Sequence, residues 1–378
     1  MKTPRELAQD LLTPAGITLN GPNPWDPQIH DDVLFERLFS QGVIAVGEGY
    51  MEGLWDVADL PNMVARVINA QQMWELLSLK TIPLALSVLR SKLFNLQSSK
   101  RAFEVGEKHY DIGNDIYERM LDKRLTYSCG YWSSPQGGAK TLEEAQEAKL
   151  DLICRKIGLK KGDRILDIGC GWGSFAIYAA EKYGASVVGV TVSVEQAALA
   201  RERAKGLPVE IRVQDYREIS DGPFDHVVSI GMFEHVGPKN YRSFMQLVRR
   251  LLKKDGLFLL HTIGARTTYT APDPWIDKYI FPNGMLPSAE QVMIAANEVF
   301  LLEDWHNFGT DYDKTLMAWF ANFDARWPEI SEKYGQRFYR MWTFYLKSMA
   351  GVFRAHDASL WQIVLSPRGV DGGYTSIR

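Results

Sequence analysis

The stretch Arg164-Ile165-Leu166-Asp167-Ile168-Gly169-Cys170-Gly171-Trp172-Gly173-Ser174 decides the fold of this chain. Its apolar run ends abruptly in three glycines separated by single residues, and a helix-compatible run follows at 175–182. That order reads as a buried parallel strand, a tight turn and the start of a helix. Glycine at Gly169, Gly171 and Gly173 lets the backbone bend sharply and approach a ligand with no side chain in the way. A nucleotide-like cofactor suits such a turn. The dinucleotide pattern, G-x-G-x-x-G, seats a pyrophosphate on the helix N-terminus. The spacing here is G-x-G-x-G, with Asp167 two residues before the first glycine.

An acidic residue ending the first strand before G-x-G-x-G is the pattern of S-adenosylmethionine-dependent methyltransferases. Their cofactor carries no phosphate, so a wider glycine turn suffices, and Asp167 is placed to influence its sulfonium and amino-acid end. The downstream order supports this. Strands are expected at 186–190, 209–213, 224–229 and 257–262, with a helix at 195–204. Apolar strands alternating with helical stretches predict an α/β fold, a Rossmann-like open and mostly parallel sheet with helices on both faces.

At 378 residues the chain exceeds one small domain. Its hydrophobic content of 46% and aromatic content of 12% suit a well-packed enzyme. A net charge of −3 argues against a nucleic-acid binder. Cys129, Cys154 and Cys170 form no C-x-x-C pair, so no metal site is expected, and their sparse count fits reduced thiols. Residues 1–11 are charged and lack the apolar core of a signal peptide. No uncharged apolar run approaches the ~20 residues of a membrane span. Any meeting with a membrane is therefore expected at its surface, from the cytoplasm.

Residues 1–95 read as a small, mainly helical N-terminal domain, with helical periodicity at 33–39 and 60–76. Residues 81–95 are apolar but interrupted by Arg90 and Lys92; Lys80, Lys100 and Arg101 flank them, and no acid lies between Lys80 and Arg101. That stretch reads either as a solvated helix face or as a membrane-surface segment. Residues 96–160 lead into a catalytic domain at 161–378. Within it, the proline-rich excursion 264–288 is long enough to be a functional wall or lid. The tail returns to helices at 315–323 and 332–353 and a last strand at 361–365.

Several further segments occur in order across residues 100–320: His109-Tyr-Asp-Ile-Gly-Asn-Asp115, Thr126-Tyr-Ser-Cys-Gly-Tyr-Trp132, Gly189-Val-Thr-Val-Ser193 with Gln196, Gln214-Asp-Tyr216, Gly231-Met-Phe-Glu-His-Val-Gly237, Leu260-His-Thr-Ile-Gly264, Trp275-Ile-Asp-Lys-Tyr-Ile-Phe-Pro282 and Asp311-Tyr-Asp313. With the glycine turn, they give the chain its resemblance to the cyclopropane-fatty-acyl-phospholipid synthases and, more broadly, the mycolic acid cyclopropane synthases. Gly47-Glu-Gly-Tyr-Met-Glu-Gly-Leu-Trp55 looks like the extra N-terminal domain of the phospholipid enzymes. Cys129 precedes Gly130 where the family more often has alanine, a minor departure.

The resemblance implies methylene transfer from S-adenosylmethionine to the cis double bond of an unsaturated acyl chain in membrane phospholipid. Such chemistry needs a dry apolar channel, which the excursion 264–288 would supply, because water would capture the cation. It also implies that a bound bicarbonate ion is the general base, in a pocket of Cys129, Glu234, His261, Ile263 (through its backbone) and Tyr312. Donors for that anion would be His261, Tyr312 and Cys129. Glu234 would orient His261 or accept the bicarbonate hydroxyl. Cofactor contacts implied by the match are Tyr127, Ser128, Asp167, Gly169, Gly171, Gly173, Thr191, Gln196, Gln214 and Asp215. Lipid engagement by residues 1–95, peripheral association with the inner face of the cell membrane and a homodimer are the remaining expectations.

Each assignment has a plainer rival. The glycines suit a simple turn, Cys129 a small buried hydrophobe, and Glu234 a first-turn acid at a helix N-terminus. His261 reads equally well as a hydrogen-bonded core histidine, and Tyr312 as a core aromatic. Ser193 and Gln196 make an S-x-x-Q capping box. Two other functions compete. One is a related methyltransferase acting on an amine, or on an acyl chain without ring closure. The other is a lipid-surface binding protein with a dead methyltransferase fold. The full set Cys129, His261 and Tyr312 favours ring closure, since an amine acceptor needs no bicarbonate.

Overall fold

The computed structural model describes residues 2–70, 113–133 and 137–378. Their contacts divide into two compact units, and neither is a single stretch of sequence. The basic stretch 80–101 and most of the His109–Asp115 segment lie outside the described residues.

One unit gathers the described part of Met1–Phe94 with Thr270–Pro282 and Leu316–Ala358. Its helices begin where capping chemistry dictates. Thr3 and Glu6 form a reciprocal capping box before helix Pro4–Leu12, and the Asp59 carboxylate accepts from Asn62 N before helix Leu60–Asn69. Helices Val33–Gln41 and Ile44–Glu52 lie between them, with a short antiparallel pair, β1 (Gln28–Ile29) and β2 (Trp55–Asp56). Leu34, Tyr50, Trp55, Leu60, Met63 and Val67 form the core, and Phe344 of helix Ser331–Arg354 packs on it. That helix lies so close that a Cβ on Gly351 would fall 2.5 Å from Pro61 O. Arg340 adds polar anchoring, donating to Trp55 O at 3.0 Å and to Asp56 Oδ1 at 2.7 Å. In the same way Glu48 accepts from Lys278 Nζ at 2.6 Å and from Tyr279 OH at 2.8 Å. Two segments expected within a catalytic domain at 161–378 therefore pack with the N-terminal helices. Those helices have apolar faces that need partners, and linear sequence does not reveal who supplies them.

The other unit, Asn95–Tyr269, Asn283–Thr315 and Ser359–Arg378, carries a seven-stranded sheet. Its strands are β3 (Arg164–Ile168), β4 (Ser186–Thr191), β5 (Val209–Val213), β6 (Phe224–Ile230), β7 (Leu252–Ala265), β8 (Leu301–Asn307) and β9 (Ala358–Ser366). Their order is β5-β4-β3-β6-β7-β9-β8; the first five are parallel and β8 runs antiparallel to β9. Alternate residues face opposite layers, as period-2 geometry requires. Ile165, Val187, Val228 and Leu259 join one core with Leu150, Ile153 and Phe175 from helices Leu142–Lys156 and Ser174–Tyr183. Leu166, Val188, Val227 and Phe258 join the other with Phe244 and Val248 from helix Tyr241–Leu251. The mostly parallel sheet with helices on both faces is thus present as expected.

Two strands differ from expectation. β8 was not anticipated, because Glu303, Asp304, His306 and Asn307 break the apolar pattern at a sheet edge. β7 starts five residues early, across Lys253-Lys254-Asp255-Gly256, and a bulge absorbs the irregular register opposite Phe224 and His226.

Candidate functional site

The glycine turn sits at the carboxyl end of β3, where open α/β sheets place ligands. Gly169, Gly171 and Gly173 all have left-handed φ, at +84°, +54° and +79°. A Cβ on Gly169 would strike Met232 Cβ at 2.6 Å, whereas a Cβ on Gly171 would meet nothing within 4 Å. The turn is pinned from behind by Gly169 N and Cys170 N, both donating to Val190 O. Gly171 therefore fronts open space, as a cradle for a ligand requires.

At the ends of β4 and β5, Thr191 Oγ1 donates to Gln196 Oε1 at 3.0 Å and accepts from Ser193 N at 3.2 Å. Ser193 caps helix Val194–Arg203 through Gln196 N. The reciprocal half of the capping box does not form, since the Gln196 side chain turns to Thr191 instead. Gln214 donates from its amide to Glu218 O at 3.1 Å. Asp215 is buried, and Arg217 engages its carboxylate through Nε at 2.8 Å and Nη2 at 2.7 Å.

Tyr127, Ser128 and Cys129 follow helix Asn114–Met120. The Tyr127 ring meets Tyr117 edge-on at 5.1 Å. Helix Leu142–Lys156 fixes Ser128 from two sides: Gln146 Nε2 donates to Ser128 O at 2.7 Å and Lys149 Nζ to Ser128 Oγ at 2.8 Å. Lys149 is fully buried, and burial pulls its ammonium down to about 8 against the opposing pull of Asp122, Cys129 and Asp167. Burial likewise pushes Asp167 up to about 7, with Lys149 acting against it.

Cys129 is buried, and burial, reinforced by Asp311, pushes its thiol well above the usual range. It is a neutral S–H, not a nucleophile. Its Sγ lies 3.2 Å from Gly130 O and 3.8 Å from Thr315 Oγ1. Thr315 is the hub here: its hydroxyl accepts from Gly130 N at 3.1 Å and Trp132 Nε1 at 2.9 Å, and donates to Asp311 O at 2.9 Å. Asp311 Oδ2 in turn accepts from Trp132 N at 2.7 Å. Tyr312 lies between them on helix Thr310–Arg326, and is buried.

Glu234 lies in a short 3-10 turn after β6, and its Oε1 accepts from Ile263 N at 2.6 Å. Burial pushes the carboxyl up to about 7 although that bond and the neighbouring Thr262 hydroxyl pull the other way, and among the described residues no group sits within hydrogen-bond geometry of Oε2. His261 is buried within β7, four residues before its end. It is positioned not by Glu234 but by Gln362 of β9, whose Nε2 lies 3.3 Å from His261 Nδ1. Burial, with Lys149 and Lys156, drives its basicity well below the usual range, so the ring is neutral. With Nδ1 accepting from Gln362, the network assigns the proton to Nε2, a buried N–H without a partner among the described residues. The Phe308 ring links the two segments, 6.1 Å from His261 and 5.2 Å from Tyr131.

These residues fit both small ligands. Open space at Gly171, with the opposed buried charges of Asp167 and Lys149, suits a nucleoside that carries a zwitterionic amino-acid end. The orphaned His261 Nε2–H and Glu234 Oε2 suit a small oxyanion that offers both an acceptor and a hydroxyl. Sequence reading missed Lys149, Thr315 and Gln362, and gave Asp311 no role beyond its place in a motif. A signal existed for the first: Leu142, Ala145, Lys149, Leu152 and Lys156 recur at helical spacing, which puts two lysines on an otherwise apolar face.

The family described as mycolic acid cyclopropane synthetase matches residues 97–363. The chain is 51% identical to the cyclopropane-fatty-acyl-phospholipid synthase of Escherichia coli strain K12, over 97% of this chain and 94% of that protein. Among solved structures, mycolic acid cyclopropane synthase CmaA1 complexed with SAH and CTAB superposes with a TM-score of 0.64 and 33% identity, covering 70% of this chain and 97% of that one. Coclaurine N-methyltransferase superposes with a TM-score of 0.70, covering 86% of this chain and 99% of that one. At 21% identity this last likeness speaks for the fold alone.

Proposed function

The chain belongs to the mycolic acid cyclopropane synthetase family, and from that premise we propose that it is a cyclopropane-fatty-acyl-phospholipid synthase acting on cis-unsaturated acyl chains of membrane phospholipid. S-adenosylmethionine is the cosubstrate and supplies the ring carbon as its sulfonium methyl. Gly169, Gly171 and Gly173 give its amino-acid end close access to the backbone, with Asp167 facing that end. Tyr127, Ser128, Thr191, Gln196, Gln214 and Asp215 complete the cofactor surface.

Ring closure removes one proton from the transferred carbon, and the side chains are arranged for that. Cys129, Glu234, His261, Ile263 and Tyr312 hold a bicarbonate, which supplies the base when bound. His261 donates from Nε2, and its neutral ring adds no charge to repel the developing cation. Glu234, poised near neutrality, can hold a proton at Oε2 or release it at physiological pH. Cys129 contributes a neutral thiol. Burial of Cys129, Glu234, His261 and Tyr312 keeps water from capturing the cation. The observation that carries this reading is that two buried polar atoms, Glu234 Oε2 and His261 Nε2, have no hydrogen-bond partner among the described residues. The full set of Cys129, His261 and Tyr312 around them separates this reading from a methyltransferase working on an amine, which needs no bicarbonate.

The unit built on the N-terminal helices engages the lipid surface, and exposed Leu7 and Phe39 on two of those helices support that role. Among the described residues, no helix is long and apolar enough to cross a membrane.

Release of S-adenosylhomocysteine tests the reading. It should appear with vesicles of cis-unsaturated phospholipid and not with saturated vesicles or amines. Turnover on amines, with unsaturated lipid untouched, would overturn it.

A further inference from the structure

Lys149 is an expensive residue to keep. A fully buried ammonium has lost its hydration, and natural cores retain such groups only where they are paired or used. Here one N–H is bonded, to Ser128 Oγ at 2.8 Å, while an ammonium has three to give. No carboxylate salt-bridges it among the described residues. Asp122, the acid that acts on it most strongly, spends its oxygens on Arg124 N, Thr126 N and Thr126 Oγ1.

The single bond also sets the polarity of Ser128. With Lys149 occupying a lone pair on Oγ, the serine hydroxyl is left to donate elsewhere. Gln146, one turn earlier on the same helix, fixes the Ser128 carbonyl and so holds the whole residue in register. Ser128 lies at the carboxyl end of β6, its Cβ 3.9 Å from where a Cβ on Gly231 would stand, and β6 neighbours β3 with its glycine turn, so two donors, one of them cationic, meet at that edge of the sheet. Asp167, near the carboxyl end of β3, feels the Lys149 charge. A zwitterion matches that pair of opposite charges: its ammonium group suits Asp167 and its carboxylate suits the donors.

We propose that Lys149 and Ser128 together form the carboxylate anchor for the amino-acid end of the S-adenosylmethionine cosubstrate. The assignment deepens the methylene-transfer reading and rests on it. Neither residue touches the reacting methyl. They set where the sulfonium sits by fixing the opposite end of the amino-acid chain.

Calorimetric titration with two probes tests the anchor, using the full chain. S-adenosylhomocysteine carries the carboxylate; its decarboxylated analogue lacks only that group. The parent protein should bind the first roughly 10- to 100-fold more tightly, as expected for charge-assisted hydrogen bonds. Lys149→Met should erase most of that preference by weakening S-adenosylhomocysteine while leaving the analogue within about twofold, a margin far below one such bond. Ser128→Ala keeps the buried charge and should show the same selective loss in smaller degree, so the test survives if Lys149→Met fails to fold. Equal weakening of both probes would mean a purely structural lysine and would overturn the proposal, as would a parent protein indifferent to the carboxylate. Failure of the parent to bind either probe would instead sink the underlying reading, and the anchor with it.

Discussion

Glu234→Gln has the sharpest expected signature of any single change. Burial lifts this carboxyl from 4.5 to about 7, although the Ile263 N–H at 2.6 Å pulls the other way. Between those two values the native state holds the proton more tightly than the unfolded chain does. Stability is therefore fully present at low pH and is lost as pH rises through that window. The difference corresponds to a penalty of about 3 kcal/mol above pH 7. Glutamine keeps the shape, keeps an oxygen to accept from Ile263 N, and carries no charge at any pH. The variant should therefore gain on the parent at high pH, with about 2 kcal/mol of the gap between them closing from pH 8 to pH 5.5. Urea unfolding of both proteins at the two pH values measures it. Turnover should fall by about 10²- to 10⁴-fold, the usual weight of a proton-handling group, with S-adenosylhomocysteine binding unchanged. A stability gap independent of pH would refute the burial argument, and unchanged turnover would remove Glu234 from the mechanism.

Three other outcomes follow from the same geometry. Gly171→Ala places a methyl into open space at φ +54°, so it should cost only about 1 kcal/mol of stability but weaken S-adenosylhomocysteine at least tenfold in calorimetry; equal affinity would mean the turn does not face the cosubstrate. Thr315→Val orphans the Gly130 and Trp132 donors, and at about 1–3 kcal/mol each urea unfolding should show a loss of roughly 2–6 kcal/mol; a loss under about 1 kcal/mol would deny its role as a hub. Stripping bicarbonate with carbon-dioxide-free buffer should lower turnover reversibly while cosubstrate binding holds, and indifference to its removal would rule out a bicarbonate base.

The glycine turn and the parallel strands were legible because both obey local rules: apolar strands, then glycines at positions of left-handed φ. The strand β5 at Val209–Val213 falls where the sequence placed it. β8 was hidden because an edge strand tolerates polar residues, and only its pairing with β9 reveals it. The membership of Thr270–Pro282 and Leu316–Ala358 in the N-terminal unit was equally hidden, since it depends on packing between distant segments. It also means that cutting at residue 95 would strip Phe344 and Arg340 of their partners. Within the site, motifs pointed to Glu234, His261 and Cys129, but not to what positions them. Gln362 comes from a strand 101 residues beyond His261, and Thr315 lies 186 residues beyond Cys129. Gly264 is a similar case: a Cβ there would lie within about 2 Å of the Trp361 ring, a close approach that only the folded sheet discloses.

Mass spectrometry of cis-unsaturated phospholipid vesicles, after incubation with the protein and S-adenosylmethionine, tests the central claim most directly. The expected result is a gain of one methylene per modified chain (~14 Da, the ring carbon required by cyclopropanation), resistance of that chain to ozonolysis, and release of S-adenosylhomocysteine. Lipid that gains the same mass but still cleaves with ozone, or lipid left unchanged while another acceptor is methylated, would contradict it.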